Sequence, residues 1–463
     1  MAKPFLPGVM LLICAAAVAQ GAKVYYVNQP EGVPGTGQAG VIVAVNPDGT
    51  GLATHYTAAG PTDLRGIAVD PENNRLFFAY CELAGGVNPV QVSLRTLPLV
   101  IPGGGAMPVT ILTLPDGTPG SAMNAVADVE YDRTWQQVYF SQPAMKLLRR
   151  CDPAGGNLTN VLTHPGAGVA PRDLGPYFFG LDLVNRAAYW AVVTTSGDTN
   201  TAYSKGSLAG VVDAAFSLTT PSRTRDIVAD PAAPDGLRLY WNDRQNGAVY
   251  SRLAGGGAVL TVASGLNAPH GLVIDPLARK GYVSDTGKRG SGSQASSHRV
   301  VRISLDGLSP LEYLSPVDLV AEPWDVALDL TSSSYADWRR RFFAQGAAGT
   351  GINDDPDGDG LINLGEYAFF CSPIHADAWK AGQVFDVQPG RIRMARHRRM
   401  DVDVRAEVST NLTDWHWNGD ATGVTYLNFS APESRDEDSE WITVTSAVPG
   451  PQRFQLRLSV RLL

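Results

Sequence analysis

Cysteine is scarce in this chain of 463 residues, which contains only four, at positions 14, 81, 151 and 371. None belongs to a Cys-x-x-Cys pair, so a zinc site built on thiolates is not predicted. If Cys14 leaves with an N-terminal leader, Cys81, Cys151 and Cys371 remain. Three thiols allow one disulfide with one free thiol, or no disulfide at all.

Charged residues are also few, at 18% of the chain, and the formal net charge is −8 at pH 7. A negative balance argues against broad nucleic-acid binding, which requires a basic surface. Hydrophobic residues make up 44% of the chain and indicate folded cores. The 49 glycines, 32 prolines, 16 tyrosines and 9 tryptophans favour many short strands joined by tight turns. The length predicts two or three domains.

No apolar run beyond the N-terminus is long enough to span a bilayer, so no transmembrane segment is expected. The first residues instead combine Lys3, a short apolar run over Val9–Val18 and the small-x-small site Ala17–Ala19. This pattern is typical of a secretory signal peptide over residues 1–19. Cleavage after Ala22 is the alternative. We therefore expect a secreted, periplasmic or cell-surface protein.

Motifs of the common catalytic sites are missing. The sequence has no GxSxG, HExxH or P-loop, and no GxGxxG in a strand–helix setting. Its seven histidines lack metal-ligand spacing. Neither a metal-dependent nor a nucleophilic enzyme is indicated by any local motif.

What the sequence does contain is a repeat through its first two thirds. Each copy has an apolar strand ending in an acid, a polar turn and an aromatic strand. Complete copies occupy Gly66–Tyr80, Val126–Gln142, Gly180–Val193, Asp226–Asp243 and Gly271–Gly287. A sixth first strand, Asp325–Leu330, has no aromatic partner after it, and the aromatic strand Lys23–Asn28 has no partner before it.

Pairing these two orphan strands, Lys23–Asn28 and Asp325–Leu330, would place both ends of the repeat in one sheet and close a ring. Closure removes exposed sheet edges, which favour aggregation. Copies spaced about 45 to 60 residues apart suit blades of four strands. The sequence thus predicts an all-β fold whose main part, residues 23–330, is a six-bladed β-propeller.

Two copies of the aromatic strand support a family resemblance. Tyr240–Asp243 (YWND) and Tyr282–Asp285 (YVSD) resemble the YWTD signature of six-bladed propellers of the low-density-lipoprotein-receptor class B type. The pattern is also similar to NHL and gluconolactonase-like propellers. The resemblance implies that the motif aspartate helps to tie neighbouring blades. Four copies lack this aspartate, at Tyr25–Asn28, Phe77–Tyr80, Tyr139–Gln142 and Tyr189–Val192.

Acidic residues recur where the predicted inner strands end, at Asp70, Glu130, Asp182, Asp230, Asp275 and Asp329. They could form a ring at the channel mouth that binds a cation or a polar ligand. Alternatively, each carboxylate could bond to the backbone of its own turn. The Asp-Pro pairs at positions 70, 230 and 275 favour turn chemistry.

Two functional hypotheses follow, and a structural surface module without a small ligand is a third option. The leading one is a binding or interaction module that contacts a protein or glycan ligand at the cell envelope or outside the cell. The alternative is a metal-dependent hydrolase or lactonase at the channel mouth. The gluconolactonase-like resemblance implies a Glu, an Asn and Asp groups around a divalent metal, for which Glu130, Asn267 and Asp226 are candidates beside His270. Convergence of such ligands on one point would favour the enzyme.

After the propeller, residues 332–374 are predicted to form a helix and a calcium-binding linker. Tyr335, Trp338, Phe342 and Phe343 have near-helical spacing. The following stretch matches the pattern D-x-D-x-D-G-x5-E, in which Ca²⁺ receives its oxygens from offsets 1, 3, 5, 7, 9 and 12. The predicted ligands are Asp355, Asp357, Asp359, the Leu361 carbonyl, Asn363 and Glu366, with Gly360 at offset 6.

This loop resembles DPDGDG linkers of secreted bacterial proteins and is similar to thrombospondin type 3 and single EF-hand loops. Beyond it, residues 383–463 alternate in polarity and predict a small C-terminal β-sandwich. A basic run, Arg391–Met400, and an acidic run, Glu433–Glu440, lie within it. They could bind an anionic surface, or they could balance each other across neighbouring hairpins, which is the preferred interpretation.

Overall fold

The computed structural model describes most of the chain from Ala22 onward. The described residues are 22–30, 39–84, 88–100, 107–114, 126–164, 173–191, 193–194, 202–216, 218–219, 224–286, 298–307, 309–315, 321–331, 334–369, 371–376, 385–388, 391–397, 402–409, 414, 416–418, 422, 424–434, 439–447 and 455–462. The predicted signal peptide lies outside them. Within these ranges, no helix has the length and apolar character that a membrane crossing requires.

The described residues between Lys23 and Asp329 form six four-stranded antiparallel sheets. From the inner to the outer strand, blade 1 comprises β26 (Ala321–Asp329), β1 (Lys23–Pro30), β2 (Val41–Val45) and β3 (Ala53–Thr57). Blade 2 comprises β4 (Thr62–Asp70), β5 (Arg75–Ala84), β6 (Asn88–Pro98) and β7 (Val109–Leu114). Blade 3 comprises β8 (Val129–Asp132), β9 (Gln137–Gln142), β10 (Leu147–Cys151) and β11 (Thr159–Thr163).

The second half of the ring follows the same order. Blade 4 comprises β13 (Phe179–Asp182), β14 (Ala187–Ala191), β16 (Ala202–Ser207) and β17 (Leu218–Thr219). Blade 5 comprises β18 (Thr224–Asp230), β19 (Arg238–Asp243), β20 (Ala248–Leu253) and β21 (Leu260–Ser264). Blade 6 comprises β22 (Pro269–Asp275), β23 (Lys280–Asp285), β24 (Arg299–Ser304) and β25 (Glu312–Tyr313). A separate ribbon joins β12 (Asp173–Leu174) to β15 (Val193–Thr194).

The first strands of the six blades contact one another in sequence around a closed ring. Closure is made as predicted, because β1 pairs with β26 and Tyr26 lies opposite Val326 in the register. The all-β, six-bladed propeller is therefore confirmed by the strand pairing. Closure leaves neither the first nor the last strand of the repeat with an open edge at the ring junction.

The aromatic second strands are buried on both faces, which explains why they lack polar alternation. In β1, Tyr25 and Val27 pack in a core shared with blade 2, whereas Val24 and Tyr26 pack in a core shared with blade 6. Successive side chains of a strand point to opposite faces, so one strand supplies both interfaces. Burial of each such side chain contributes about 1.5–3 kcal/mol.

The linker packs its helices against blade 6. Helix α1 (Tyr335–Phe342) begins at Ser334, whose hydroxyl accepts the N–H of Asp337, and its buried Trp338 contacts Ala278 in a shared apolar cluster. Helix α2 (Asn363–Phe369) adds Tyr367 to the same cluster. The Arg341 guanidinium also donates to the buried Asp275 carboxylate at 2.9 Å, which fixes α1 on the propeller.

Seven further strands follow the linker within the described residues. They are β27 (Phe385–Gln388), β28 (Arg391–His397), β29 (Val402–Ser409), β30 (Leu427–Phe429), β31 (Glu433–Ser434), β32 (Ser439–Ser446) and β33 (Gln455–Leu462). Strands β27, β28, β32, β30 and β31 form one sheet, and β29 pairs with β33 in another. An Arg393–Glu433 ion pair of 2.6 Å supports charge balance between the basic and acidic runs. The sandwich packing stays a prediction.

Candidate functional site

The acids at the strand ends serve their own turns. Asp70, Asp182, Asp230, Asp275 and Asp329 accept backbone N–H groups from Asn73, Asn185, Ala232, Leu277 and Thr331 respectively, at 2.9–3.3 Å. The turn interpretation is thus confirmed at these positions. The inclusion of Glu130 was wrong, because β8 ends two residues later at Asp132, which accepts the N–H of Trp135.

Three other aspartates join neighbouring blades next to the central channel. Each accepts two backbone N–H groups, one from the following residue and one from the next blade. The pairs of donors are Val129 and Phe179 for Asp128, Ile227 and Leu272 for Asp226, and Val326 and Ile67 for Asp325, all at 2.7–2.9 Å. These latch aspartates join blade 3 to 4, blade 5 to 6 and blade 1 to 2, so alternate junctions are fastened in the same way.

Glycine occupies the equivalent position in two of the receiving blades. A Cβ on Gly66 would lie 2.8 Å from the Asp128 Cα, and one on Gly271 would lie 2.6 Å from Asp325 Oδ1. Phe178 takes this position in blade 4. Glycine at positions 66 and 271 therefore meets a packing requirement beside the latch hydrogen bonds.

The latch aspartates and Glu130 form a layer of mutually repelling carboxyls. Burial, followed by the nearby Asp325 and Asp226, raises the pKa of Asp128 well above its ordinary value. Burial also raises the pKa of Asp325 to about 7 and, together with Asp325, that of Glu130 to about 8. Glu130 is only partly buried, and it lies two positions after a latch aspartate, as Val228 does on β18.

A different layer lies one residue earlier on the inner strands. Its members are Arg65, Ala127, Tyr177, Arg225, His270 and Trp324, and Arg244 lies near them. The Arg65 guanidinium carbon is 4.9 Å from the Trp324 ring centroid, and that of Arg225 is 5.6 Å from the Tyr177 ring centroid. We call Arg65, Tyr177, Arg225, Arg244, His270 and Trp324 the channel mouth. It combines cationic and aromatic groups.

His270 is fully buried in the channel mouth. Its ring centroid is 3.9 Å from that of Trp324 and 4.8 Å from that of Phe178. Its Nδ1 lies 3.0 Å from the Trp324 carbonyl oxygen. Burial, followed by the positive charges of Arg244 and Arg225, lowers the pKa of His270 well below its ordinary value. The imidazole is therefore neutral at physiological pH.

The residues proposed for a lactonase-like centre have separate tasks. Asp226 is a latch, and the backbone N–H of Asn267 donates to Asp285 at 2.9 Å. We compared His, Cys, Asp and Glu side chains across the described part of the chain. Asp355, Asp357 and Asp359 are the one group of three whose possible metal-ligand atoms all lie within 4.8 Å of one another. His270, Glu130 and Asp226 are thus not gathered on one point.

The motif aspartates also have defined partners. The Asp285 carboxylate accepts the N–H of Ala268 at 2.6 Å and of Asn267, in the connection that enters blade 6 from blade 5. Asp243 accepts the N–H groups of Gln245 and Asn246 within its own turn. The family resemblance implies hydrogen bonds between neighbouring blades. The latch aspartates make such bonds at alternate junctions, although the repeat pattern did not identify them in this role.

The acidic loop is shaped by its own backbone. Asp355 accepts the N–H groups of Gly358 and Gly360 at 2.9 and 3.0 Å, and both glycines have positive φ, at 74° and 93°. Asp359 accepts the N–H of Leu361 at 2.9 Å. These bonds fold the loop so that the carboxylates of Asp355, Asp357 and Asp359 converge.

The last two predicted ligands lie on the buried side of the loop. Asn363 and Glu366 both belong to α2, and both have 0% exposure. The Asn363 amide donates to the carbonyls of Gly349 and Gly351 at 3.0 and 2.7 Å, while its Oδ1 accepts no hydrogen bond from a described residue. Glu366 lies close enough to Tyr335 to raise the pKa of that phenol, after burial as the main cause.

The three cysteines are buried thiols. Burial raises the pKa of Cys81 and of Cys151 to about 12, and the Cys371 thiol donates to the Phe369 carbonyl at 3.7 Å. The sequence left open whether two of these cysteines form a disulfide. In the structure, Cys81, Cys151 and Cys371 form none with one another. Such protonated, enclosed thiols are poor nucleophiles.

Comparison with known proteins finds distant matches among solved structures. No protein-family model and no curated protein matches this chain. A chain in the crystal structure of a nidogen/laminin complex has a TM-score of 0.47 at 10% identity, and the match covers 67% of this chain and 100% of that one. TolB from Acinetobacter baumannii has a TM-score of 0.44 at 12% identity, with 66% of each chain covered. The assignment of six blades rests on the strand pairing described above.

Proposed function

We propose that this chain is an exported β-propeller that binds a protein or glycan ligand at its channel mouth. We also propose that a Ca²⁺ ion stabilises the linker that follows the propeller in sequence. The observation that carries the proposal is the cationic and aromatic channel mouth, in which Arg65 and Arg225 lie against Trp324 and Tyr177. Binding sites are commonly rich in aromatic and arginine side chains because these give large contact area and directed hydrogen bonds.

The arrangement of the carboxyl layer supports binding over hydrolysis. Both oxygens of Asp226 accept backbone N–H groups, as do those of Asp128 and Asp325. A carboxylate engaged in this way is a poor candidate for a catalytic metal ligand, since an ion would have to replace those bonds. The His270 side chain is likewise held by the Trp324 carbonyl.

The loop has the donor chemistry that Ca²⁺ requires. Asp355, Asp357 and Asp359 would hold the ion, with the Leu361 carbonyl, Asn363 and Glu366 as further oxygen donors. A bound cation would offset the repulsion between three carboxylates whose oxygens lie within 4.8 Å of one another. It would stiffen the linker between α1 and α2.

The ligand-binding proposal can be tested with the mature chain, residues 20–463, on arrays of glycans and exported proteins. We expect at least one ligand whose binding is lost in Arg225→Gln and kept in Arg238→Gln. Arg238 is a suitable control because it is the first residue of β19 and pairs with Asp235, whereas Arg244 follows the other end of that strand. Equal binding by both variants, or turnover of lactones and esters with added divalent metal, would overturn the proposal.

The calcium proposal has its own test. Titration of the chelator-treated chain with CaCl₂ should give one saturable site and a higher melting temperature, because an ion that binds only the folded state stabilises it by mass action. Identical melting curves with and without chelator would refute the site. This result is independent of the channel mouth.

A further inference from the structure

Trp135 is exposed on the turn between β8 and β9. It is 58% exposed, whereas the other tryptophans that the structure describes are buried or only partly exposed. An indole in water forgoes the free energy that burial of its apolar surface provides, about 25 cal/mol per Å². Core packing therefore does not account for a tryptophan at this position.

The hydrogen bonds of the turn do not require a tryptophan either. In four blades, the aspartate that ends the inner strand accepts the N–H of the residue three positions later. These residues are Asn73, Trp135, Asn185 and Ala278, with bonds of 3.0–3.3 Å. Asn73 and Asn185 also donate their side-chain amides to the same carboxylate, at 2.9 and 2.8 Å. The turn by itself thus favours asparagine over tryptophan.

The next blade holds the ring of Trp135 in place. The guanidinium carbon of Arg186 is 4.2 Å from the Trp135 ring centroid. The same guanidinium donates to the Asp132 carboxylate at 2.5 Å and to the Tyr139 hydroxyl at 3.4 Å. A guanidinium anchored in this way covers one face of the indole and limits its movement. The other face is oriented before a ligand arrives, which lowers the entropic cost of binding.

The equivalent turn of blade 6 is covered by the chain itself. Ala278 has the position that corresponds to Trp135, and it is 0% exposed in an apolar cluster with Trp338 of α1. The strand-end face of the propeller is therefore a docking surface at blade 6. At blade 3 the same position presents a larger apolar side chain, and that side chain is open.

The charges around the ring are compensated within the protein. Asp132 pairs with Arg186, and Arg133 interacts electrostatically with Glu130. A ligand that stacks on Trp135 therefore gains little from a net charge of its own. The net charge of −8 also disfavours a nucleic acid, whose bases could otherwise stack on an indole. These charges favour a neutral ligand.

The groups beside the ring distinguish a sugar from a protein. Thr134 and Gln136 flank Trp135 in sequence and are exposed, so they offer a hydroxyl and an amide that can donate and accept hydrogen bonds. Val184, on the turn that carries Arg186, adds one exposed apolar side chain. A protein hot spot needs surrounding contacts that exclude water, which so narrow a patch does not supply. A sugar ring combines an apolar C–H face with hydroxyls at its edge, and it matches this patch.

We propose that the open face of Trp135 stacks on a sugar ring of a neutral glycan. The site lies at the opposite end of the inner strands from the channel mouth, because Arg225 is near the start of β18 and Asp230 is at its end. It is a second binding site, and it does not depend on what the channel mouth binds.

Calorimetric titration of the mature chain, residues 20–463, tests this site with cellohexaose, laminarihexaose, mannohexaose and chitohexaose. We expect at least one of them to bind. Trp135→Asn should weaken that binding about tenfold or more, and Trp135→Phe should weaken it less because an aromatic face is kept. Asparagine fits this turn at positions 73 and 185, so the melting temperature should not fall. Met107→Ala, which removes a side chain that is 82% exposed, is the control and should bind normally.

Arg225→Gln separates this site from the channel mouth and should leave the oligosaccharide binding intact. Binding that is lost in Arg225→Gln and kept in Trp135→Asn would assign the sugar to the channel mouth and overturn the inference. Failure of all four probes to bind would overturn it too. A marked fall in the melting temperature of Trp135→Asn would show that the ring is structural. Capture of a protein that depends on Trp135, without any sugar binding, would make the patch a protein contact instead.

Discussion

The backbone N–H of Ile67 donates to the carboxylate of Asp325, 258 positions away in sequence, at 2.9 Å. This bond joins blade 2 to the inner strand of blade 1, next to the place where the ring closes. Its counterparts at Asp128 and Asp226 fasten the other two alternate junctions. The propeller is thus held at its axis by buried hydrogen bonds as well as by apolar packing between blades.

Loss of one latch should destabilise the whole ring. Asp325→Ala leaves the N–H groups of Ile67 and Val326 buried and unsatisfied, so we expect a loss of about 2–4 kcal/mol in the free energy of unfolding. The measurement is urea denaturation at pH 6. Glu130→Gln is the matched control, because it removes a carboxyl from the same layer without removing a latch. A loss for Glu130→Gln as large as for Asp325→Ala would contradict the latch role.

The carboxyl layer should also make the free energy of unfolding decrease as pH rises. Folding raises the pKa of Asp325 to about 7 and of Glu130 to about 8, so between pH 6.5 and 8.5 the folded state holds protons that the unfolded state has lost. Stability then decreases as pH rises, by about 1.4 kcal/mol per pH unit for each carboxyl still protonated. His270 acts in the opposite direction, and only below about pH 6.5, the ordinary pKa of histidine.

Urea midpoints across this pH window provide the measurement. We expect Glu130→Gln to flatten the upper part of the curve, because the carboxyl with a pKa of about 8 is gone. A native curve that is flat or rises from pH 6.5 to 8.5 would show that the layer does not hold protons in the folded state.

A substitution at Gly180 can test how closely blades 4 and 5 pack at their junction. A Cβ at this position would lie 2.1 Å from the Ile227 carbonyl oxygen, so Gly180→Ala should cost about 1–3 kcal/mol or more through displaced backbone. Gly255→Ala is the control, since nothing lies within 4 Å of its Cβ. Thermal melting of both variants is sufficient, and equal melting temperatures would show that the junction can relax.

The calcium loop makes a separate prediction. Asp357→Ala combined with Glu366→Ala should abolish the rise in melting temperature that CaCl₂ gives the native chain, because two of the expected oxygen donors are lost. Asp213→Ala, which removes a propeller carboxylate paired with Lys205, should leave that rise intact. A calcium response that survives the double substitution would place the ion elsewhere.

The sequence was sufficient to predict the ring and its closure. Tyr25 and Tyr26 belong to an aromatic strand without a partner, and the pattern of the other copies required one, so the pairing with Val326 followed from counting repeats. The helix at Tyr335 was also predictable, because aromatic residues at helical spacing follow possible N-cap serines. These features depend on periodic burial, which one sequence displays directly.

The latches were missed because their signal alternates between blades. Asp128, Asp226 and Asp325 each precede a strand-end acid by four positions, but Gly66, Phe178 and Gly271 interrupt the series, so the aspartates do not recur in every copy. Glu130 was misplaced by two residues for a related reason, since blade 3 carries two acids close together. His270 was named from the sequence as a candidate at the channel mouth, but its neighbours could not be predicted, because residues from separate blades meet there only after closure.

Closure between Lys23 and Asp329 has a consequence for biosynthesis. Strand β1 is synthesised about 300 residues before β26, the strand with which it pairs. At typical translation speeds of about 5–20 residues per second, this separation is a delay of roughly 15–60 s. During that time the nascent chain carries its finished blades in a ring that cannot yet close. If the chain is exported as proposed above, passage through a translocon in extended form would leave ring closure to the far side of the membrane.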